Sequence, residues 1–123
     1  FKANTNDTRE SPAIKICNLL IEEGAKLSIH DPKVSKNKID NDLKLVCRHD
    51  SLNNNWEIVD SVSKAVDGAD AAVIITEWNE YKDLNWSELK LMMRQPAWLF
   101  DTRSIVDIEV LAKSGINFWR LGD

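Results

Sequence analysis

Lys2, Arg9 and Arg103 combine charge type and placement in a way that suits anion chemistry: the first two stand in the opening run FKANTNDTRESP, the third in AWLFDTRS. A guanidinium grips two oxygens of a phosphate through its planar fork, and a lysine adds a mobile point charge. Ser11 reads as a helix N-cap and Pro12 as the first helical position, so the helix behind them contributes free N–H groups and a positive dipole end. A phosphate is the natural guest. The competing reading is a set of surface ion pairs, Arg9 with Asp7 or Glu10 and Arg103 with Asp101 or Asp107. The residues by themselves leave both open.

The elements that must position these cations follow from apolar spacing. Ala13, Ile16, Cys17, Leu20 and Ile21 form one helical face, and Gly24 offers a left-handed stop. AKLSIHDP predicts a short strand ending in an Asp31-Pro32 turn, and residues 33–55 read as a polar, variable surface segment in which only LKLVC could order. WEIVDS opens a second stretch: a short helix around Val62, Ala65 and Val66 closed by Gly68, then AAVIIT, whose continuous apolar run predicts a strand buried on both faces. NWSELKLMMR predicts a helix capped by Asn85 and stopped at Gln95-Pro96, with Trp86, Leu89 and Met93 on one side. AWLFD follows as another buried strand, IVDIEVLAKSG as a helix ending at Gly115, and INFWRL as a last strand.

Helices alternating with apolar strands imply an α/β, Rossmann-like three-layer αβα fold with a mainly parallel sheet. Ligands of such sheets sit beyond the carboxyl ends of the strands, which selects the loops FKANTNDTRES, TEWNEYKDLN and DTRS. The strand leading into the first loop would be central. The expectation is therefore a piece of a longer protein that lacks most of this first strand.

Length and composition bound the remaining possibilities. At 123 residues and 43% hydrophobic, the chain suits one domain over residues 1–123. A net charge of -4 argues against nucleic acid or an anionic membrane as partner, since no cationic excess exists to release counterions. Cys17 and Cys47 form no CxxC pair and read as reduced thiols of a cytoplasmic protein, and no apolar run approaches the ~20 residues that span a bilayer. His30 and His49 have no second ligand at metal-binding spacing, so no metal is expected. Glu77, Glu80 and Asp83 read as a solvated helix-start region rather than an acid/base pair. Asp31 suits either a ribose-binding acid or a turn. With four glycines and no GxGxxG, the chain carries no dinucleotide turn of its own. Among the five tryptophans, Trp78 and Trp98 are expected in the core.

FKANTNDTRESPAI, the strand ending in DP, DGADAAVIITEWNEYKDLNW and AWLFDTRSIVD occur in an order that resembles the C-terminal UDP-binding domain of the UDP-glucose 6-dehydrogenase family. The resemblance covers nearly the whole chain. It implies that Phe1 and Lys2 contact the UDP-sugar, that Arg103 in FDTR matches the substrate-binding arginine of the family's FDGR segment, and that Arg9 reaches toward NAD. Ala3 replaces a second basic residue common after Phe-Lys, and Thr102 stands where glycine is frequent, which could alter the loop because threonine resists φ > 0.

The family oxidises the sugar C6 alcohol to a carboxylate with two NAD, through a thiohemiacetal and thioester on a cysteine. That cysteine and the general base lie before Phe1 in the family pattern, so the resemblance implies no catalytic residue in this chain and an inactive piece in isolation. NAD-binding and central domains of the same polypeptide, UDP-glucose, and homo-oligomerisation of the full-length protein are the implied partners. TEWNEYKDLNW favours the UDP-glucose branch over UDP-N-acetyl-hexosamine or GDP-mannose dehydrogenases. A non-catalytic nucleotide-binding module is the alternative from another class.

Overall fold

Pro12 opens the first helix of the computed structural model, which describes residues 12–46 and 55–122. Helix α1 (Pro12–Glu22) buries Ala13, Ile14, Cys17 and Ile21, close to the expected face. Its end is fixed by Gly24 at φ +94°: the Gly24 N–H donates to the Ile21 carbonyl at 3.0 Å and the Ala25 N–H to that of Leu20 at 3.0 Å. Those two bonds satisfy carbonyls that the last helical turn leaves open, and only a left-handed residue permits them.

The chain divides into two compact units, Phe1–Val62 and Ser63–Asp123. In the first, strand β1 (Leu27–Ile29) pairs in parallel with β2 (Trp56–Ile58), Leu27 opposite Trp56 and Ile29 opposite Ile58. Between them runs α2 (Lys36–Val46), which packs on α1. Over residues 36–46 this helix corrects the reading of the segment as surface. Its sequence KNKIDNDLKLV is polar overall, yet Ile39 and Leu43, four residues apart, are completely buried. One such pair per two turns is a seam too narrow to register as an apolar stripe.

The boundary falls at the first residue of α3 (Val62–Val66), and the second unit continues with β3 (Ala71–Ile74), α4 (Trp86–Met92), β4 (Trp98–Asp101), α5 (Ile108–Ser114) and β5 (Asn117–Arg120). Its strands form a parallel sheet in the order β3-β4-β5. Asn85 caps α4 as expected, accepting from the Glu88 N–H, and Trp86, Leu89 and Met93 are all buried. Asp107 caps α5 through the Glu109 N–H, and Gly115 at φ +78° ends it.

The expectation that β3 and β4 are buried on both faces is corrected. Ile74, Leu99 and Asp101 are buried, whereas Val73, Trp98, Phe100 and Trp119 are exposed on the alternate positions. Trp78 lies in the core as expected, but Trp98 is 39% exposed and stacks on Phe100 instead. The reason is topological. Right-handed crossovers stepping in one direction, β3 to β4 to β5, place both connecting helices on the same face.

Candidate functional site

Of the three loops selected from the sequence, the second and third meet at the carboxyl ends of β3 and β4. Asp101 ends β4 completely buried, and its two oxygens organise the turn that follows: Oδ1 accepts from the Arg103 N–H at 3.1 Å and Oδ2 from the Val106 N–H at 2.9 Å. Arg120, at the matching register position of β5, brings Nε to 4.0 Å from Asp101 Oδ2 and donates from Nη2 to the Ser104 carbonyl at 3.2 Å. A buried carboxylate is thus compensated from the neighbouring strand, as burial of a charge demands. Ser104 takes the left-handed conformation at φ +54°, and its hydroxyl donates to the Leu121 carbonyl.

Thr102 settles the question raised by its departure from glycine. The left-handed residue of the turn is Ser104, two positions on, so no positive φ falls on threonine. The Thr102 hydroxyl instead donates to the Ile74 carbonyl at 2.7 Å, beside a 3.1 Å bond from its own N–H. The substitution adds a tie between β3 and the loop.

Arg103 extends from this turn with its side chain 43% exposed and pairs through Nη2 with Oε1 of Glu77, just beyond β3. Its partner is therefore neither Asp101, which serves the turn and Arg120, nor Asp107, which caps α5. Glu77 is likewise more than part of a solvated helix start. The N–H groups of Thr102, Arg103 and Val106 are all spent on internal acceptors. The guanidinium is the charged donor that this loop holds outward.

Arg120 and the structural role of Asp101 escaped sequence reasoning, although a signal was present. AWLFD and NFWR each end on an ionisable residue, and in parallel register those ends face each other. Asp31 resolves toward the turn: its Oδ1 accepts from the N–H groups of Lys33 and Val34, both at 2.8 Å. Phe1, Lys2 and Arg9, and with them the first loop, lie outside the described residues, as do Ser11, Cys47 and His49. Cys17 is a buried thiol on α1 and forms no disulfide with a described residue. Among the described residues there is no cluster of three metal-ligating side chains, and no helix is long and apolar enough to cross a membrane. They also contain no glycine-rich dinucleotide turn.

Comparison with known proteins gives this geometry a context. Residues 1–108 match the model of the UDP-glucose/GDP-mannose dehydrogenase family, UDP binding domain, and the chain belongs to that family. It is 41% identical to a UDP-glucose 6-dehydrogenase of Caenorhabditis elegans and 40% identical to one of Drosophila melanogaster, in both cases over 99% of its own length. It spans about a quarter of those relatives, 25% and 26% respectively. Among solved structures, an NDP-N-acetyl-D-galactosaminuronic acid dehydrogenase from Methanosarcina mazei superposes with a TM-score of 0.74 over 99% of this chain and 22% of that one, at 21% identity. A UDP-D-ManNAc dehydrogenase from Pyrococcus horikoshii gives 0.52 over 89% and 29%, also at 21%. At that identity the structural likeness speaks for the Rossmann-like α/β fold.

Proposed function

We propose that this chain, as a member of the UDP-glucose/GDP-mannose dehydrogenase family, is the nucleotide-sugar-binding domain of an NAD-dependent UDP-glucose 6-dehydrogenase. The observation that carries the reading is Arg103, held at the carboxyl edge of the β3-β4-β5 sheet on a turn that Asp101 fixes from within. That edge is where open α/β sheets bind ligands, and a pre-set guanidinium suits a diphosphate.

In the same reading Phe1 and Lys2 contact the UDP-sugar, as the resemblance of the opening motif implies. Arg9 faces NAD, which is held by other parts of the full-length protein. When bound, NAD would supply the hydride acceptor for each of the two oxidations that, with one water, convert the sugar C6 alcohol to the carboxylate of UDP-glucuronate, while this domain binds and orients the nucleotide. Residues 1–123 act as one domain, with UDP-glucose, the NAD-binding and central domains, and further copies of the full-length protein as partners. A cytoplasmic location is part of the same reading, and there a buried thiol such as Cys17 stays reduced.

The test is an NADH-forming assay of the full-length protein with UDP-glucose and NAD. Two NADH per UDP-glucose are expected. Turnover of UDP-N-acetyl-hexosamine or GDP-mannose, with none of UDP-glucose, would overturn the substrate assignment.

A further inference from the structure

Glu77 has no role in the reading given so far, yet it meets the one side chain of the described loops that this reading assigns to substrate. Arg103 is a long side chain, nearly half exposed, and its own turn fixes only its backbone. Left alone it would sample many rotamers, and a ligand would have to order it on binding. Glu77 removes that freedom from one side. Its carboxylate meets the guanidinium at Nη2, and a guanidinium carries five N–H donors, more than one carboxylate with two oxygens takes up in a single pair.

The anchoring of Glu77 supports the same conclusion. It follows Thr76, which is buried beyond the end of β3, and precedes Trp78, which lies in the core. Thr102 ties its loop back to Ile74 on the same strand. Both partners of the ion pair thus project from backbone fixed to one strand end.

We propose that Glu77 is a positioning residue for nucleotide-sugar binding: it holds the Arg103 guanidinium ready for the phosphate at the carboxyl edge of β3 and β4. The inference rests on Arg103 being a substrate residue. Glu77 lowers the ordering cost of Arg103 and takes no part in hydride transfer. It cooperates with the anion rather than competing for the guanidinium, and its effect is carried entirely through Arg103.

The experiment is a double-mutant cycle in the full-length protein, with UDP binding read by calorimetry and UDP-glucose oxidation by steady-state kinetics. Thermal unfolding of each variant serves as the folding control. Glu77→Ala is expected to weaken UDP binding by roughly two- to fivefold, the range of an exposed ion pair. KM should rise with kcat unchanged, and Glu77→Gln, which keeps an acceptor oxygen, should recover part of the loss. In an Arg103→Ala background, Glu77→Ala should have no further effect. Tighter UDP binding by Glu77→Ala would mark a competitor and overturn the proposal, as would an equal loss in the Arg103→Ala background. Normal UDP binding by Glu77→Ala beside a loss in Arg103→Ala overturns the proposal and leaves the substrate role of Arg103 standing. Normal binding by Arg103→Ala itself overturns both.

Discussion

Replacing Asp101 by Asn is the sharpest test of how the loop is held, because it turns one accepting oxygen into a donor and changes almost no volume. Asp101 is completely buried and accepts from the N–H groups of Arg103 at 3.1 Å and Val106 at 2.9 Å. An amide can accept at one of these positions only, so the other N–H faces an NH2 group and is stranded. Stranding a buried donor costs about 1–3 kcal/mol, and the surviving bond loses its charge assistance, about another 1 kcal/mol. Arg120 loses its counter-charge as well, but Nε lies 4.0 Å away and Nη2 keeps the Ser104 carbonyl, so that contribution falls at the low end, about 1 kcal/mol. The total is about 3–5 kcal/mol, a large share of the stability of a domain this size. Urea unfolding of the chain followed by tryptophan fluorescence measures it, and amide exchange at Val106 localises it. A loss below about 1 kcal/mol, with Val106 still protected, would refute the account of Asp101 as the organiser of the turn.

Three further outcomes follow from particular contacts. Thr102→Gly removes the 2.7 Å bond to the Ile74 carbonyl and frees the backbone, so a loss of about 1–2 kcal/mol is expected in denaturant unfolding; a gain would show that threonine is strained there. Gly115→Ala places a methyl group at φ +78°, with Cβ 2.7 Å from Lys90 Nζ. Because the lysine end can swing aside, the cost should be the left-handed penalty alone, about 1 kcal/mol by thermal unfolding. Asp40 on α2 accepts from Lys44 and from the Trp56 indole at 2.9 Å, contacts that hold its carboxyl below the ordinary aspartate range. Its stabilisation is therefore present above the unfolded-state value and lost as pH falls through the folded one. The stability gap between the native chain and Asp40→Ala, below about 1 kcal/mol for so exposed a pair, should close below about pH 4, and a gap that widens on acidification would sink the assignment.

The elements that sequence reading placed well are those whose local signals agree. In α1 the apolar spacing, Pro12 and Gly24 all point to one helix, and in α4 the Asn85 cap and the Trp86, Leu89 and Met93 face do the same. Helix α2 was hidden because Ile39 and Leu43 are its only fully buried apolar positions among many polar ones. The two-faced burial expected of β3 and β4 failed for a different reason. Val73, Trp98 and Phe100 are as apolar as buried residues, and only the order of the strands decides which face the helices cover. The site shows the same division. Arg103 was visible through its residue type and its place after a strand, whereas Asp101, Arg120 and Glu77 acquire their roles from register and from the meeting of two loops distant in sequence.

Ion pair and anion site stood as alternatives for Arg103 at the level of sequence; the structure shows the ion pair, with Glu77, and in the function proposed above the two roles coexist. Glu77 meets the guanidinium at Nη2, Asp101 accepts from the backbone N–H groups of Arg103 and Val106, and the Arg103 side chain remains 43% exposed. The carboxylates therefore perform separable tasks. Asp101 fixes where the side chain begins, and Glu77 restrains where it ends, so loss of the first should loosen the fold and loss of the second should be felt by the ligand.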